Sequence, residues 1–430
     1  MTTEQLYEIY LQHPQVTTDS RNCPAGSIFF ALKGENFNGN AYAQASIDKG
    51  CAYAVVDEKE FAVNEKIILV EDVLTTLQQL AHHHRISLGL PVIGITGTNG
   101  KTTTKELISS VLKQKFNTLY TQGNFNNHIG VPLTLLSLTK EHQLTVVEMG
   151  ANHPGEIKTL VDIAAPNAGI ITNVGKAHLE GFGSFEGVIK TKSEMYDFLR
   201  ETGGHVFVNL DNAILMEKSA GIEHTGYGLT DKSGFVCGEI TGNSPFLEMN
   251  WQTAGDSTVY RLKTHLIGTY NAENVLAAVC IGRYFDIAPK LICDAINNYI
   301  PQNNRSQLTE TSRNKLIVDA YNANPTSMQA AIRNFAQMQM PGKTLILGDM
   351  RELGADSETE HQRIVDLLAE NKFEQVFLVG ECFGKTKTTY PTYPDTPTFV
   401  EYLKQYPISN ATVLIKGSNG IKLVGVVEYL

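Results

Sequence analysis

The chain alternates short apolar runs that stop at polar residues with stretches of helical spacing. In its middle third, Val92 to Thr96, Leu144 to Met149, Ala168 to Asn173 and His205 to Asn209 read as strands, and helix-like stretches follow Lys101, Gly155 and Phe185. Alternation of this kind predicts a parallel sheet covered on both faces. Upstream, the runs Ser27 to Leu32, Cys51 to Val56 and Lys66 to Val70 are separated by turns, and Glu71 to Ser87 reads as a helix leading to Leu88-Gly89-Leu90-Pro91. From Glu223 to Ile267 the pattern changes to short alternating runs, such as Phe246 to Trp251 and Ser257 to Leu262, which predict antiparallel hairpins or an extension of the sheet. Helical spacing returns from Asn271 to Phe285. After the polar stretch Pro301-Gln302-Asn303-Asn304 a second series begins: Lys315 to Ala320, Thr344 to Leu347, Gln375 to Val379 and Thr412 to Ile415, each followed by a helical candidate.

These patterns predict an α/β protein of three domains. Residues 1–88 form a small α/β N-terminal domain, 89–300 a central parallel-sheet domain, and 301–430 a Rossmann-like doubly wound C-terminal domain. A length of 430 residues agrees, being too great for one ordinary core.

Composition narrows the function. The net charge is −10, from 45 acidic against 35 basic residues, and no basic run marks a nucleic-acid footprint, so DNA or RNA is not the expected partner. The N-terminal MTTEQLYEIYLQHP lacks a signal-peptide pattern and no apolar run is long enough to span a bilayer, so the expected location is cytoplasmic, without membrane insertion. Six cysteines (Cys23, Cys51, Cys237, Cys280, Cys293, Cys382) show no C-x-x-C spacing and read as ordinary thiols.

The chemistry enters at Gly94 to Thr104, GITGTNGKTTT, directly after the apolar Pro91-Val92-Ile93. Small residues at Gly97, Thr98, Asn99 and Gly100 let backbone N–H groups close on phosphate oxygens, and the following helix points its positive end at them. Lys101 adds a charge, Thr102 offers a hydroxyl to Mg²⁺, and Thr103 continues the first turn. The general P-loop spacing would put a glycine at Ile95, so this is a variant of it. An ATP-dependent activity follows. Ligands of open α/β sheets bind beyond the carboxyl ends of strands, which draws attention to Glu148, a carboxylate ending a strand beside the loop and suited to Mg²⁺. By themselves His178 reads as a structural histidine and Lys192 as a solvated helix lysine.

Three blocks, TGTNGKT at Thr96 to Thr102, AHLEGFGS at Ala177 to Ser184 and GTYNAENVLAA at Gly268 to Ala278, resemble the ATP-dependent Mur ligases of peptidoglycan precursor synthesis. EMGANHPGEI at Glu148 to Ile157, VDAYNANPTSM at Val318 to Met328 and LGDMRELG at Leu347 to Gly354 are similar to the member that joins D-alanyl-D-alanine to a UDP-N-acetylmuramoyl-tripeptide.

The resemblance implies roles that spacing does not. Glu148 and His178 would hold Mg²⁺ with Thr102. Lys192 matches a lysine carried as a carbamate formed from CO₂, a carboxylate-like group that supplies oxygen ligands. Asn271 and Asn274 would meet adenine. Arg305 and Asp319 would reach the γ-phosphate and ribose from the third domain, which in this family closes onto the second. Lys101, Lys192, His178 and Arg305 would thus be the catalytic set. Asp19, Ser20, Arg21 and Lys33 would bind the UDP portion, and Asn322 and Asn324 would lie near D-alanyl-D-alanine. Where the family often has D-G-H-x-F, this chain reads Asn38-Gly39-Asn40-Ala41-Tyr42, without the histidine. The family also suggests a monomer.

Rival readings are the Mur ligase that adds the third amino acid, which usually carries a DNPR-type block where this chain has YNANP at Tyr321 to Pro325, and folylpolyglutamate synthase, which lacks the EMGANHPGEI block. A non-catalytic ATP-regulated binding module would be free to lose Lys101, Thr102, Glu148, His178 and Lys192. All five are present.

Overall fold

The computed structural model describes residues 1–301 and 305–430; Gln302, Asn303 and Asn304 of the proline-led polar stretch lie outside the described residues. Three main sheets organise the chain, giving three α/β domains. The first is parallel and four-stranded, in the spatial order Val16–Thr17, Ile28–Phe30, Tyr53–Val56, Ile67–Leu69. Its helix Val73–Leu88 starts at an Asp72 side-chain cap on Thr75 N and stops at Gly89, whose φ of 64° is the left-handed turn that ends helices. Leu77, Leu80 and Ala81 on one side of that helix are fully buried.

The central sheet has nine strands. From one edge the order is Tyr260–Ile267, Phe246–Thr253, Val236–Asn243, Glu223–Gly228, His205–Asn209, Ala168–Ile171, Val92–Thr96, Leu144–Glu148 and Thr118–Tyr120. Pairing is antiparallel among the first three strands and parallel through the rest. The change of character after Glu223 is therefore a sheet extension built partly of hairpins. The chain visits Thr118–Tyr120 and Leu144–Glu148 on one side of Val92–Thr96, then crosses to Ala168–Ile171 on the other. Strand order reverses at Val92–Thr96, and a crevice opens at its carboxyl end. The strand interiors are apolar and buried on both faces, as a sheet sandwiched between helices requires. Helices Lys101–Leu112 and Ala272–Tyr284 pack together on one face; on the other lie Glu156–Ala164 and Phe185–Thr202.

The third sheet runs Gln307–Glu310, Lys315–Asp319, Thr412–Lys416, Lys343–Gly348, Gln375–Val379, Thr392–Tyr393. Only the first pair is antiparallel, so a doubly wound parallel core carries one reversed edge strand. Separate apolar clusters cover its two faces, one around Phe335, Ile364 and Leu378, the other around Phe399, Val413 and Ile415. All six cysteines are free thiols. Among the described residues no helix is long and apolar enough to cross a membrane.

Candidate active site

The loop that follows Val92–Thr96 takes its shape from its neighbours. Gly97 has φ 140°, and a Cβ there would stand 2.0 Å from Thr172 Oγ1, so the close approach of the two strand ends excludes any side chain. Thr98 N donates to Asn173 O at 2.9 Å, Asn99 N to Asn173 Oδ1 at 3.0 Å, and Thr172 Oγ1 to Asn99 O at 2.6 Å. Gly100, with φ 80°, then turns the chain into the helix Lys101–Leu112. Lys101, Thr102 and Thr103 form its first turn. Their N–H groups have no acceptor one turn back within the helix, and all three residues line a cavity of about 1010 Å³. A helix N-terminus with free amides and a glycine-shaped approach has the geometry that suits phosphate. The Lys101 ammonium lies over the loop, on Gly97 O at 2.8 Å and Thr98 O at 3.1 Å. Burial lowers its pKa first of all; Arg305 pushes the same way and Glu148 opposes.

Glu148 ends its strand opposite Ile95 in register, which carries its carboxylate to the mouth of the loop. Its Oε1 accepts from Thr102 Oγ1 at 3.1 Å and from Asn126 Nδ2 at 2.9 Å. Its Oε2 is buried with no hydrogen-bond partner among the described residues and has the buried Lys105 ammonium 3.7 Å away. A hydroxyl and a carboxylate with an unsatisfied oxygen are hard donors, and this pair fits a divalent cation of the Mg²⁺ type.

His178 lines the same cavity, and its Nδ1 meets Glu352 of the third domain. Burial lowers its pKa, opposed by Glu352 and reinforced by Lys101 and Lys192.

Lys192 reverses the bare-sequence expectation of a solvated lysine. It is 2% exposed, and among the described residues its Nζ has a single acceptor, Ala151 O at 3.2 Å, with the Phe182 ring face 5.3 Å away. Helical spacing places it on the face that packs against Glu156–Ala164, not on the solvent side. Burial holds its pKa well below the ordinary lysine value, with the Lys101 charge adding to the effect. Burial of this kind disfavours the ammonium relative to the neutral amine, the form that attacks CO₂.

Asn271 and Asn274 lie at the cavity wall, but their amides are already engaged. Asn274 Oδ1 accepts from Thr104 Oγ1 at 3.0 Å, Asn274 Nδ2 donates to Asn271 Oδ1 at 2.9 Å, and Asn271 Nδ2 donates to Ile267 O at 2.8 Å. Asn271 is also the residue before the helix Ala272–Tyr284 rather than within it. The pair thus braces the helix that follows the loop, through Thr104.

The third domain completes the cavity. The Arg305 guanidinium stacks 3.9 Å from the centre of the Tyr321 ring and has a buried Nε with no partner among the described residues, a donor suited to an anion. Asp319, ending the strand Lys315–Asp319, accepts from Lys416 Nζ at 2.7 Å and from Ser306 N at 3.3 Å. Asn322 lines the cavity too. Asn324 caps the helix Pro325–Gln337, and its Nδ2 donates to Asn99 Oδ1 at 2.8 Å, so cap and phosphate loop touch directly. Lys176–Glu360 at 3.0 Å and Tyr270 OH–Ser306 Oγ at 2.8 Å also join the two domains. The third domain is docked.

The N-terminal residues are not gathered in this way. Asp19, Ser20, Arg21 and Lys33 lie outside the cavity lining, where the N-terminal domain is represented by Leu74 and Gln78. Arg21 has its planar fork taken by Asp19, at 2.9 Å to each oxygen, which with that residue's backbone N–H holds the exposed Asp19 carboxyl down at about 2. Ser20 O accepts from Lys49 Nζ, and Lys33 pairs with Asp57 at 3.0 Å. Asn40, where the family often has histidine, is fully buried and ties Asp57 through both amide atoms, 2.8 Å to its carboxylate and 2.9 Å from its N–H.

Sequence reasoning missed the segment Gln122 to Gly130. Asn126, Asn127 and His128 line the cavity opposite the phosphate loop, and Asn126 orients Glu148. Its signal was three asparagines between two glycines in an otherwise apolar stretch. Lys105 was missed as well, since nothing in TTTKE separates a buried lysine from a solvated one.

Comparison with known proteins agrees with this geometry. The family descriptions "Mur ligase family, catalytic domain", "Mur ligase middle domain" and "Mur ligase, glutamate ligase domain" match residues 14–85, 95–282 and 304–419. The UDP-N-acetylmuramoyl-tripeptide--D-alanyl-D-alanine ligase of Bacillus subtilis is 33% identical over 430 residues, covering 96% of this chain and 92% of the relative. The Escherichia coli protein of the same name is 33% identical, over 96% and 93%. Among solved structures, MurF from Acinetobacter baumannii superposes with a TM-score of 0.85 at 29% identity, covering 99% of this chain and 98% of that one. MurF ligase from Thermotoga maritima in complex with ADP gives 0.86 at 25% identity, over 97% of each chain.

Proposed function

This chain belongs to the Mur ligase family, and on that premise we propose that it uses ATP to join D-alanyl-D-alanine to a UDP-N-acetylmuramoyl-tripeptide, making the pentapeptide precursor of peptidoglycan. The observation that carries this reading is one cavity in which a phosphate loop, the carboxylate of Glu148 and the third-domain residues Arg305 and Asp319 face each other. The relatives' shared name and their match along almost the full chain supply the substrates. The structure of a similar protein with ADP supports the nucleotide.

A carboxylate does not react with an amine at neutral pH because oxide is too poor a leaving group. The tripeptide's terminal carboxylate therefore attacks the γ-phosphorus of ATP in line, ADP leaves, and the resulting acyl phosphate is attacked by the neutral amine of D-alanyl-D-alanine. The tetrahedral intermediate expels phosphate and the amide remains. This chain's residues hold the charge that develops. Lys101 turns from its loop carbonyls to the transferring phosphoryl group, the first-turn amides cradle the β- and γ-phosphates, and Arg305 approaches from the third domain. Asp319 meets the ribose, and Asn271 with Asn274 frames the adenine. Thr102, Glu148, His178 and a carbamylated Lys192 would hold Mg²⁺, which when bound neutralises phosphate charge. Asp19, Ser20, Arg21 and Lys33 are assigned to the UDP end; Arg21 would exchange Asp19 for a phosphate. Asn322 and Asn324 border the amine's approach, and docking of the third domain excludes water that would otherwise hydrolyse the acyl phosphate. The protein is read as a cytoplasmic monomer built of the three domains 1–88, 89–300 and 301–430.

ADP release tests this directly. Sustained, multiple-turnover release should require the tripeptide nucleotide and D-alanyl-D-alanine together, with diaminopimelate or lysine failing as the amine. ADP release that responds to a free diamino acid and the dipeptide nucleotide instead would assign the chain to the preceding step.

A further inference from the structure

His178 and Glu352 meet across the interface between the second and third domains, and each has a backbone that ordinary residues avoid. His178 has φ 51° and Glu352 φ 62°, both in the left-handed region and neither a glycine. Such residues persist where the surroundings over-determine them, and they cluster at ligand clamps. The imidazole Nδ1 meets the Glu352 carboxylate, and Glu180, two residues after His178, donates its N–H to the main-chain carbonyl of Glu352 at 3.3 Å.

The Glu352 loop is braced from behind. Asp349 accepts from the N–H groups of Cys382 at 2.8 Å and Phe383 at 2.9 Å. His361, wholly buried, accepts from Met350 N at 3.0 Å and donates to Ser357 O at 2.7 Å. Arg351 N donates to Ser418 Oγ at 3.0 Å. Asp349, His361 and Cys382 offer ligand atoms within 4.8 Å of one another, yet the carboxylate and both imidazole nitrogens are committed to backbone groups. Together with Ser418 they fix three successive residues, Asp349, Met350 and Arg351, and so aim the fourth.

We propose that Glu352 is the positioning residue for His178. Accepting the proton on Nδ1, it fixes the tautomer and the ring plane, leaving Nε2 with its lone pair for the cavity that His178 lines. A histidine that ligates a metal characteristically passes its other N–H to a carboxylate in this way. Here the carboxylate comes from a different domain. Docking of the third domain therefore completes the cation site on the second, and closure and cation binding are one coupled event. The inference rests on the reading of His178 as facing the divalent cation of the ATP site.

The test uses the full chain with Glu352→Ala and Glu352→Gln, the latter keeping the side chain's shape should the alanine variant fail to fold. Mn²⁺ binding in the presence of ADP is read by electron paramagnetic resonance, and the His178 tautomer by ¹⁵N NMR. Wild type should show a single tautomer protonated at Nδ1. Both variants should bind Mn²⁺ at least about 10-fold more weakly and lose the fixed tautomer. Glu360→Gln, which removes a charge from the Lys176–Glu360 contact in the same interface, should leave Mn²⁺ affinity at saturating ADP within about 2-fold of wild type. Unchanged Mn²⁺ affinity and tautomer in the Glu352 variants would overturn the proposal, as would an equal loss in Glu360→Gln, because docking in general would then be responsible. A wild-type protein that binds Mn²⁺–ADP as described but ligates nothing would overturn the proposed reaction and leave this inference standing.

Discussion

Lys101→Ala should lower kcat by at least about 10²–10³-fold, equivalent to roughly 2.7–4 kcal/mol of lost transition-state stabilisation. Phosphoryl transfer leaves a protein little covalent work, so its rate depends on positioned charge. Lys101 is the cation rooted in the phosphate loop itself, donating to two loop carbonyls that it can release for phosphate oxygens. Its loss leaves the helix amides intact, so ADP should still bind. Single-turnover formation of acyl phosphate, with ADP binding measured by calorimetry on the same preparation, checks the split. A variant that turns over within tenfold of wild type would remove Lys101 from the chemistry.

Lys192→Ala should be almost as damaging, for a different reason. A buried ammonium with one carbonyl acceptor among the described residues, and with the Lys101 charge opposing its own, is a poor companion for a cation site. As a carbamate the same side chain presents oxygens and a negative charge, which helps the site instead. The expected result is a loss of activity that formate or acetate restores in part, because a small carboxylate can enter the space that the alanine opens. Wild-type activity should also fall when CO₂ is stripped from the buffer and return with bicarbonate. A Lys192→Ala enzyme with full activity, or one indifferent to carboxylates in a fold shown intact by its melting curve, would sink the assignment.

The elements that sequence reasoning recovered are those whose burial leaves a long enough trace. Val92–Thr96, His205–Asn209 and Gln375–Val379 each read as strands because buried parallel strands must be apolar along their length. Val16–Thr17, Thr118–Tyr120 and Thr392–Tyr393 were not legible, since two or three residues carry no period. The phosphate loop was legible because its chemistry is local: glycines, lysine and threonine act within one turn. Lys192, His178 and Arg305 were not, for their surroundings come from distant segments, such as Ala151 beside Lys192 and Glu352 beside His178. Only the resemblance to a family raised them. Asn271 and Asn274 teach the converse, as the resemblance put two amides near the nucleotide but could not say that they bond first to each other and to Thr104.

The most direct measurement follows oxygen. Tripeptide nucleotide labelled with ¹⁸O in both oxygens of its terminal carboxylate is incubated with the protein, Mg-ATP and D-alanyl-D-alanine, and the products are read by mass spectrometry. Activation through an acyl phosphate predicts a pentapeptide that keeps one ¹⁸O in the new amide and inorganic phosphate that carries the other. A pentapeptide formed with unlabelled phosphate, or ATP consumed with no amide product, would contradict the account.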